Sequence, residues 1–400
     1  MANYIGIDLG TTFSAVATID ESGKPVIVPN DSFKEAPTGD ITASCIMQAG
    51  KKIIIGDQAR NALQLNEKAI GRFKRDMGTK KEYQLGDKSC TPQDLSSMML
   101  RKLKEIALKK LGDVSKATVT IPANFSNEAR AATMSAALEA GLDIDHIINE
   151  PTAAALYFAY TNDVATGKYA IFDLGGGTFD LSIIEIKGTD VDVITSSGIN
   201  RCGGDDFDAA IVKLAQEKMK SEENVEITEQ DFTLKDAEDC KISLSKKTKN
   251  AVMIQDIALQ ISRKEFEESI SILLSQMELA CKGALEDAKI NTDELRDVIL
   301  VGGSTRMPCI ASLVEKVFKK SPVIIDKTDE AVALGAALYA AYKSDGKDLS
   351  TLQKDSINNI NITECANHHF GYTAADIQKQ KLFNDILIEK NTKLPTSVTR

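Results

Sequence analysis

The stretch GKYAIFDLGGGTFDLSIIEI, residues Gly167–Ile186, decides the fold. Two apolar runs flank three glycines, and this pattern predicts two β-strands joined by a tight turn. Glycine has no Cβ, so the backbone can bend sharply there and bring several N–H groups close to a bound anion. Asp173 and Asp180 flank the turn. Because carboxylates repel phosphate, the pair predicts a phosphate-binding hairpin with a hydrated Mg²⁺ held nearby.

The same pattern occurs a second time, near the start of the chain. Tyr4–Ile19 reads YIGIDLGTTFSAVATI, in which Asp8 matches Asp173 and Gly10 matches Gly175. An ordinary glycine-rich hairpin is the alternative interpretation, but it does not account for two copies. Asp8 and Asp173 are 165 residues apart, a spacing that is typical of a duplicated domain rather than of a short repeat. Two such hairpins facing each other would bind one polyphosphate from both sides.

The composition excludes several classes of protein. The chain has 400 residues and a formal net charge of −10, which argues against a nucleic-acid surface because phosphates require a basic face. No apolar run is long enough to cross a bilayer, and Met1-Ala2-Asn3 leads directly into the first strand without a basic signal region. Seven dispersed cysteines favour free thiols. We therefore expect a soluble, cytoplasmic protein.

Strands and helices alternate along most of the chain, which predicts mostly parallel sheets covered by helices. The order repeats, so we expect one α/β domain over 1–343, with lobe I at about 1–165 and lobe II at about 166–343. Within it, single helices are expected over about 57–69 and over 263–289. The composition then becomes polar, and 344–363 is interpreted as a linker. Residues 364–400 contain too few strand-like runs for a complete module.

Six motifs resemble one family closely, the DnaK-like molecular chaperones of the heat-shock protein 70 family. They are IGIDLGTTFS (Ile5–Ser14), INEPTAAAL (Ile148–Leu156), IFDLGGGTFDLS (Ile171–Ser182), GGDDFD (Gly203–Asp208), ILVGGSTRMP (Ile299–Pro308) and DEAVALGAA (Asp329–Ala337). The resemblance covers Tyr4 to about Tyr342. The RFKRDMG run and the compact insertion of lobe II are more similar to the HscC-type branch than to the main housekeeping chaperone.

The resemblance implies a duplicated actin-like, ribonuclease H-like ATPase fold with a nucleotide cleft between two lobes. It implies slow hydrolysis of ATP to ADP with Mg²⁺, with K⁺ as a further candidate cofactor. The nucleotide state would control capture of unfolded or hydrophobic peptides by a following β-domain, of which 364–400 resembles the start. A J-domain co-chaperone and a nucleotide-exchange factor are the implied partners, while nucleic acid and membranes are not expected.

The family's site residues carry over by position. The implied catalytic residues are Lys74, Glu150, Asp173, Thr178 and Asp180, and the implied Mg²⁺ residues, acting through water, are Asp8 and Asp173. The implied nucleotide-binding residues are Gly10, Thr11, Thr12, Phe13, Gly175, Gly176, Gly177, Thr178, Gly203, Gly204, Glu238, Lys241, Ser245, Gly302, Gly303, Ser304, Arg306 and Asp329.

Simpler interpretations stand beside three of these assignments. Lys74 lies in a basic run and could be a solvated charge. Glu238 and Lys241 are three residues apart on one helix face and could form a surface pair. Glu150 precedes a proline and could merely cap the next helix.

Two other functional classes remain open. One is a small-molecule kinase of the same architecture, although no sugar site is recognisable, and the other is a binder that uses ATP structurally. The linker SINNINITE, Ser356–Glu364, has asparagines between its isoleucines where the family has a hydrophobic run with acidic residues. This departure predicts weak stimulation by J-domain partners and weak allosteric coupling.

Overall fold

A computed structural model describes residues 3–30, 40–65, 68–162, 164–188, 190–344, 349–357, 361–376 and 381–398. Ile360 of the predicted linker lies outside these residues. No helix in the described ranges is both long and apolar enough to cross a membrane.

The described residues of lobe I form fifteen elements and a 3₁₀ turn at Phe73–Asp76. The elements are β1 (Tyr4–Asp8), β2 (Phe13–Ile19), β3 (Pro25–Ile27), β4 (Thr42–Ala43), β5 (Ile46–Ala49), β6 (Lys52–Ile55), α1 (Asp57–Gln64), β7 (Ala69–Ile70), β8 (Tyr83–Leu85), β9 (Lys88–Cys90), α2 (Pro92–Leu111), β10 (Lys116–Ile121), α3 (Asn127–Glu139), β11 (Ile144–Asn149) and α4 (Glu150–Thr161).

Lobe II and the residues after it carry the other elements. In lobe II these are β12 (Gly167–Leu174), β13 (Phe179–Lys187), β14 (Asp190–Ile199), α5 (Gly204–Glu222), α6 (Leu234–Lys246), β15 (Lys249–Ile254), β16 (Ile257–Ser262), α7 (Arg263–Ser269), α8 (Ser271–Ala288), β17 (Leu295–Val301), α9 (Pro308–Phe318), β18 (Val323–Ile324) and α10 (Ala331–Tyr342). After lobe II come α11 (Thr351–Ile357), β19 (Asn361–Thr363), β20 (Phe370–Asp376) and β21 (Lys381–Ile388).

The two main sheets have the same topology, which confirms the predicted duplication. The order is β11-β10-β1-β2-β3 in lobe I and β18-β17-β12-β13-β14-β19 in lobe II. In each sheet the central strand pairs antiparallel with the strand that follows it and parallel with a later one. The tight turns β1–β2 and β12–β13 therefore lie at the same end of their sheets, the carboxyl end of the central strand, where α/β folds bind ligands.

Helices α4 and α10 pack against each other between the lobes, and small residues make this possible. A Cβ added to Gly335 of α10 would lie 1.8 Å from the Ala153 carbonyl oxygen of α4. A Cβ on Gly6 of β1 would lie 2.1 Å from the Ala337 nitrogen of α10. Both helices belong to one buried apolar cluster that contains residues of both lobes. The lobes thus share a core, and the close helix contact sets how they meet.

Two predicted helices have different limits in the structure. The first ends at Gln64, and Ala69–Ile70 forms strand β7 instead of extending it. The second breaks at Ile270, whose backbone leaves helical geometry (φ −103°, ψ 10°) while its side chain is buried in the lobe II core. In the second case tertiary packing overrides a continuous helical pattern. The hairpin β8–β9 was not predicted.

The polar stretch after lobe II contains regular structure that packs on the domain. Helix α11 lies within it, and Gln353 Nε2 donates hydrogen bonds to the carbonyl oxygens of Ile19 and Asp20 (3.2 and 3.1 Å). Strand β19 pairs in parallel with β14 at the edge of the lobe II sheet. Beyond it, β20 and β21 form a hairpin. That 344–363 serves as a linker and 364–400 begins a β-sandwich stays a prediction.

The helix contact yields a stability test with a matched control. Gly335→Ala forces a methyl group into the α4 backbone, and we expect the free energy of unfolding to fall by about 1–3 kcal/mol. For Gly283→Ala, inside α8, the described residues place no atom within 4 Å of the added Cβ apart from the helix's own backbone, and the change should be neutral or stabilising by about 0.4–1 kcal/mol. Urea unfolding of both variants measures this, and equal effects would show that the contact does not constrain the lobes.

Candidate active site

The two glycine hairpins meet at a cleft between the lobes with an empty volume of about 660 Å³. Most of the predicted site residues line it. They are Asp8, Gly10, Thr11, Thr12, Phe13, Lys74, Glu150, Asp173, Gly175, Gly176, Gly177, Thr178, Gly302, Gly303 and Asp329. Ile41, Val301, Thr328 and Val332 complete the wall and were not predicted.

The hairpin turns approach each other so closely that only glycine fits in the second one. A Cβ on Gly176 would lie 1.8 Å from Thr12 Oγ1, and a Cβ on Gly177 would lie 2.3 Å from Thr11 Cγ2. Thr12 Oγ1 is buried and has no hydrogen-bond partner among the described residues. A buried hydroxyl without a partner is unusual, and it marks a polar group available to a ligand. This pair of turns fits the predicted two-sided phosphate cradle.

Lys74 is buried rather than solvated, since only 3% of its surface is exposed. Its ammonium forms an ion pair with Glu150, the first residue of α4. The Glu150 carboxylate therefore contacts Lys74, and α4 has no side-chain cap at its first turn. Of the simpler interpretations, the solvated lysine is wrong, and the Glu150 side chain does not cap the helix.

Three aspartates lie around this ion pair, of which Asp173 and Asp180 are buried and Asp8 is partly exposed. Burial, followed by the charge of Glu150, raises the pKa of Asp8 and of Asp180 to about 7. The same two causes raise the pKa of Asp173 well above its usual value. Thr120 donates to Asp8 (3.0 Å) and the Ala123 N–H donates to Asp180 (3.1 Å). The cleft therefore holds more carboxylates than Lys74 can neutralise.

This donor set fits a hard divalent cation. Carboxylate oxygens and water are the ligands that Mg²⁺ prefers, and a cation would offset the charge that burial makes unfavourable. Among the described residues, no three His, Cys, Asp or Glu side chains have the arrangement of a directly ligated metal. Binding by Asp8 and Asp173 through water needs no such group, so that assignment stays a prediction.

The loop at Gly302–Arg306 packs directly under the second hairpin. Gly302 has φ +85°, and a Cβ there would lie 2.4 Å from the Leu174 carbonyl oxygen. Ser304 Oγ donates to the Gly175 carbonyl oxygen (2.9 Å). Arg306 forms an ion pair with Asp329 (2.6 Å), so these two predicted residues are neighbours at the cleft.

The start of α5 packs on the same hairpin. The Gly204 N–H donates to the Gly175 carbonyl oxygen (3.0 Å), and a Cβ on Gly203 would lie 2.6 Å from the Gly176 carbonyl. Lys241 Nζ donates to the Gly204 carbonyl oxygen (3.0 Å) and pairs with Asp208 (2.7 Å). Lys241 thus joins α6 to this loop.

The other two predicted residues of α6 have different surroundings. Glu238 accepts two hydrogen bonds from Arg60 (2.8 and 2.6 Å) and one from Gln64 (2.6 Å), both in α1 of lobe I. It lines a neighbouring, smaller cavity with Thr11 and Thr12. The simple surface pair of Glu238 with Lys241 is not observed. Ser245 donates to the Lys241 carbonyl oxygen of its own helix (3.0 Å), and no contact with the cleft is observed.

Charged residues that join the lobes beside the cleft were not identified from the sequence as site residues. They are Arg60, Arg72, Arg75, Asp76, Arg201, Asp205 and Asp206. The only sequence signal was a basic run around Lys74 and an acidic motif 131 residues later. Charge alone could not pair them, since solvated runs look the same.

Comparisons with known proteins agree with this geometry. The family model described as "Hsp70 protein" matches residues 4–363. The chain is 39% identical over 353 residues to the "Chaperone protein DnaK" of Mycoplasmopsis agalactiae, covering 84% of this chain and 58% of that protein. It is 34% identical over 408 residues to the DnaK of Mycoplasma mobile, covering 98% and 64%. The chain thus spans less than two thirds of the length of these relatives.

The family match covers both lobes, both hairpins and the cleft between them. It confirms the predicted duplicated actin-like fold, whereas the closer likeness to the HscC-type branch stays a prediction. The chain belongs to the Hsp70 protein family.

Proposed function

We propose that this chain is the ATPase part of a molecular chaperone, which binds Mg-ATP between its lobes and hydrolyses it slowly. The observation that carries the proposal is the convergence of two glycine hairpins, one from each lobe, on a buried Lys74 surrounded by carboxylates. Relatives that are 39% and 34% identical to this chain are named as chaperone proteins, which supports the chaperone class. The alternative in which ATP is only structural differs by predicting no turnover.

The phosphates would be bound by the backbone of both turns, Gly10–Phe13 and Gly175–Thr178. Asp8 and Asp173 would hold Mg²⁺ through water, and the ion supplies charge neutralisation for the phosphates when bound. Lys74 adds a positive charge in a site with little water, where electrostatic stabilisation of the transferred phosphoryl group is strongest.

A water molecule must be placed for attack on the terminal phosphate. Glu150 and Asp180 are proposed to orient it, and Thr178 to contribute its hydroxyl beside the second turn. Asp180 is fixed by the Ala123 N–H, and Glu150 by Lys74. Fixed acceptors of this kind position a nucleophile without a large reorganisation at the moment of reaction.

The adenosine is proposed to lie beyond the second hairpin. Glu238, Lys241 and Ser245 of α6 would face Gly302–Arg306 across it, with Asp329, Gly203 and Gly204 nearby. Glu238 is held by Arg60 of lobe I, so a ribose that binds Glu238 would also be linked to the opposite lobe. This arrangement supports a nucleotide that bridges the two lobes.

The chaperone role, K⁺ binding and the partners are finer proposals. Unfolded or hydrophobic peptides would bind to a following β-domain, and a J-domain co-chaperone and an exchange factor would adjust the cycle. All seven cysteines are free, six of them buried, which suits a reducing cytoplasmic compartment. The asparagine-spaced segment before Glu364 supports weaker coupling than is usual in the family.

Asp173→Asn tests the role of Mg²⁺. Removing one carboxylate weakens retention of the ion, and we expect the steady-state hydrolysis rate to fall by about 100-fold or more. Folding should be retained, because burial already disfavours the charged form of Asp173. Asp297→Asn, on the neighbouring strand β17, is the control and should keep its activity. Wild-type turnover by Asp173→Asn over a range of Mg²⁺ concentrations contradicts the assignment.

Lys74→Ala tests the positive charge. We expect single-turnover hydrolysis to fall by about 100-fold or more, since a charge at a developing phosphoryl anion contributes several kcal/mol in a site that excludes water. Nucleotide affinity should change much less. Lys80→Ala, an exposed lysine six residues later, should behave as wild type. Unchanged single-turnover hydrolysis in Lys74→Ala would show that this lysine is not catalytic.

A further inference from the structure

Three ion pairs join the 3₁₀ turn that carries Lys74 to lobe II. Their lobe II partners lie in the loop before α5 and in the first turn of α5. Arg72 Nε lies 2.8 Å from Asp205 Oδ2. Arg75 contacts both carboxylate oxygens of Asp206 (3.0 and 2.7 Å). In the third pair, between Asp76 and Arg201, lobe I supplies the carboxylate and lobe II supplies the arginine. We call these three pairs the interlobe ladder.

The third pair of the interlobe ladder is centred on a buried carboxylate. Asp76 is 7% exposed, and its Oδ1 accepts from Arg201 of lobe II (2.8 Å). Its Oδ2 accepts from Lys81 (2.7 Å) and Tyr83 (2.6 Å) within lobe I. Burial alone would raise the pKa of Asp76, but hydrogen bonds from Lys81 and Tyr83 hold it below its usual value. Asp76 is therefore a charged, fixed acceptor for the arginine of the other lobe.

The middle pair also reaches the phosphate cradle. Arg75 Nη2 donates to the Gly176 carbonyl oxygen (3.1 Å) in the second hairpin turn. The Gly176 carbonyl oxygen also accepts a hydrogen bond from the Asp205 N–H (2.9 Å). Arg75 is adjacent to Lys74 in sequence, so one side chain connects the lysine's turn with the turn proposed to bind phosphate.

The backbone at the first pair is held in an unfavourable conformation. Arg72 has φ +60° and ψ 11°, the left-handed region, which is unfavourable by roughly 1–2 kcal/mol for a residue with a side chain. Phe73, the next residue, is buried in the lobe I core. Such conformations persist where the surroundings fix them and are often found at functional sites. Here the Asp205 contact and the burial of Phe73 fix the turn from both sides.

We propose that Arg72, Arg75 and Asp76 are positioning residues for hydrolysis. Through the interlobe ladder they place the Lys74 ammonium relative to the second hairpin only when the lobes are closed. Because the third pair has reversed polarity, a shifted alignment would bring like charges together, and the ladder selects one closed register. Closure of the cleft and placement of the lysine are then a single event. This inference rests on the proposed ATPase function.

Charge reversal at the first pair tests the inference. Arg72→Asp and Asp205→Arg should each lower the single-turnover rate at saturating ATP by about 10–100-fold, the effect expected of a small misplacement of a catalytic group. The rate is compared at saturating ATP because Arg72 and Asp205 line the cavity beside Glu238, so that a change in ATP affinity does not enter the comparison. The double variant restores the pair and should recover the rate to within about 3-fold of wild type.

Controls separate positioning from simple stabilisation. Reversal of the exposed pair Lys264–Glu268 on α7 should leave the rate unchanged. If the pair only stabilises the fold, its loss will lower the free energy of unfolding without changing the hydrolysis rate of the folded enzyme. That outcome would overturn the inference. Where a reversal variant does not fold, Arg72→Gln and Asp205→Asn replace it, and wild-type rates in both would equally overturn it.

Failure of the inference and of the proposed function can be told apart. If wild-type protein shows no hydrolysis that depends on Lys74, the proposed function fails and the inference with it. If wild-type hydrolysis depends on Lys74 but both reversal variants keep their rates, the inference alone fails.

Discussion

The site depends on a cluster of carboxyl groups that the fold brings together where the lobes meet. Asp8, Asp173 and Asp180 surround the ion pair of Lys74 with Glu150, and burial raises the pKa of all three aspartates. Isolated buried carboxylates are unfavourable unless a partner offsets them. Since Asp8 and Asp173 lie at the carboxyl ends of the two central strands, the duplicated fold places them together, and Asp180 joins them from the start of β13. A cation with a bound polyphosphate is the partner that this arrangement fits.

Bringing two lobes to one small volume imposes a second constraint, on packing. Gly335 and Gly6 allow α10 to approach α4 and β1 closely, and this contact joins the lobes at one side of the cleft. On the other side, the interlobe ladder and the Arg60–Glu238 pair connect the lobes through charges that remain partly exposed. Apolar contact therefore joins the lobes at one side of the cleft, whereas ion pairs join them at the other.

The fold and the centre of the site could be predicted from the sequence because they depend on local patterns. Strand periodicity and the glycine turns predicted the hairpins, and their repetition predicted two lobes. The break at Ile270 could not be predicted, because burial of that side chain depends on the assembled core. Arg75 and Asp206 are 131 residues apart, and their surface-like charges acquire partners only in the folded chain. Likewise, the polar composition before Glu364 concealed α11, whose Gln353 bonds to the backbone of lobe I.

The central claim is that both hairpins bind one polyphosphate through a hydrated divalent cation. Calorimetric titration of the 400-residue chain with ADP, in excess Mg²⁺ and in EDTA, tests it most directly. The account predicts one bound nucleotide with Mg²⁺ and an affinity at least about 100-fold lower without it, a difference of about 2.7 kcal/mol in binding free energy. Equal affinity for ADP in both buffers would mean that the carboxylates do not bind a cation together with the nucleotide. If ADP binds in neither buffer, the proposal that the cleft binds a nucleotide is wrong.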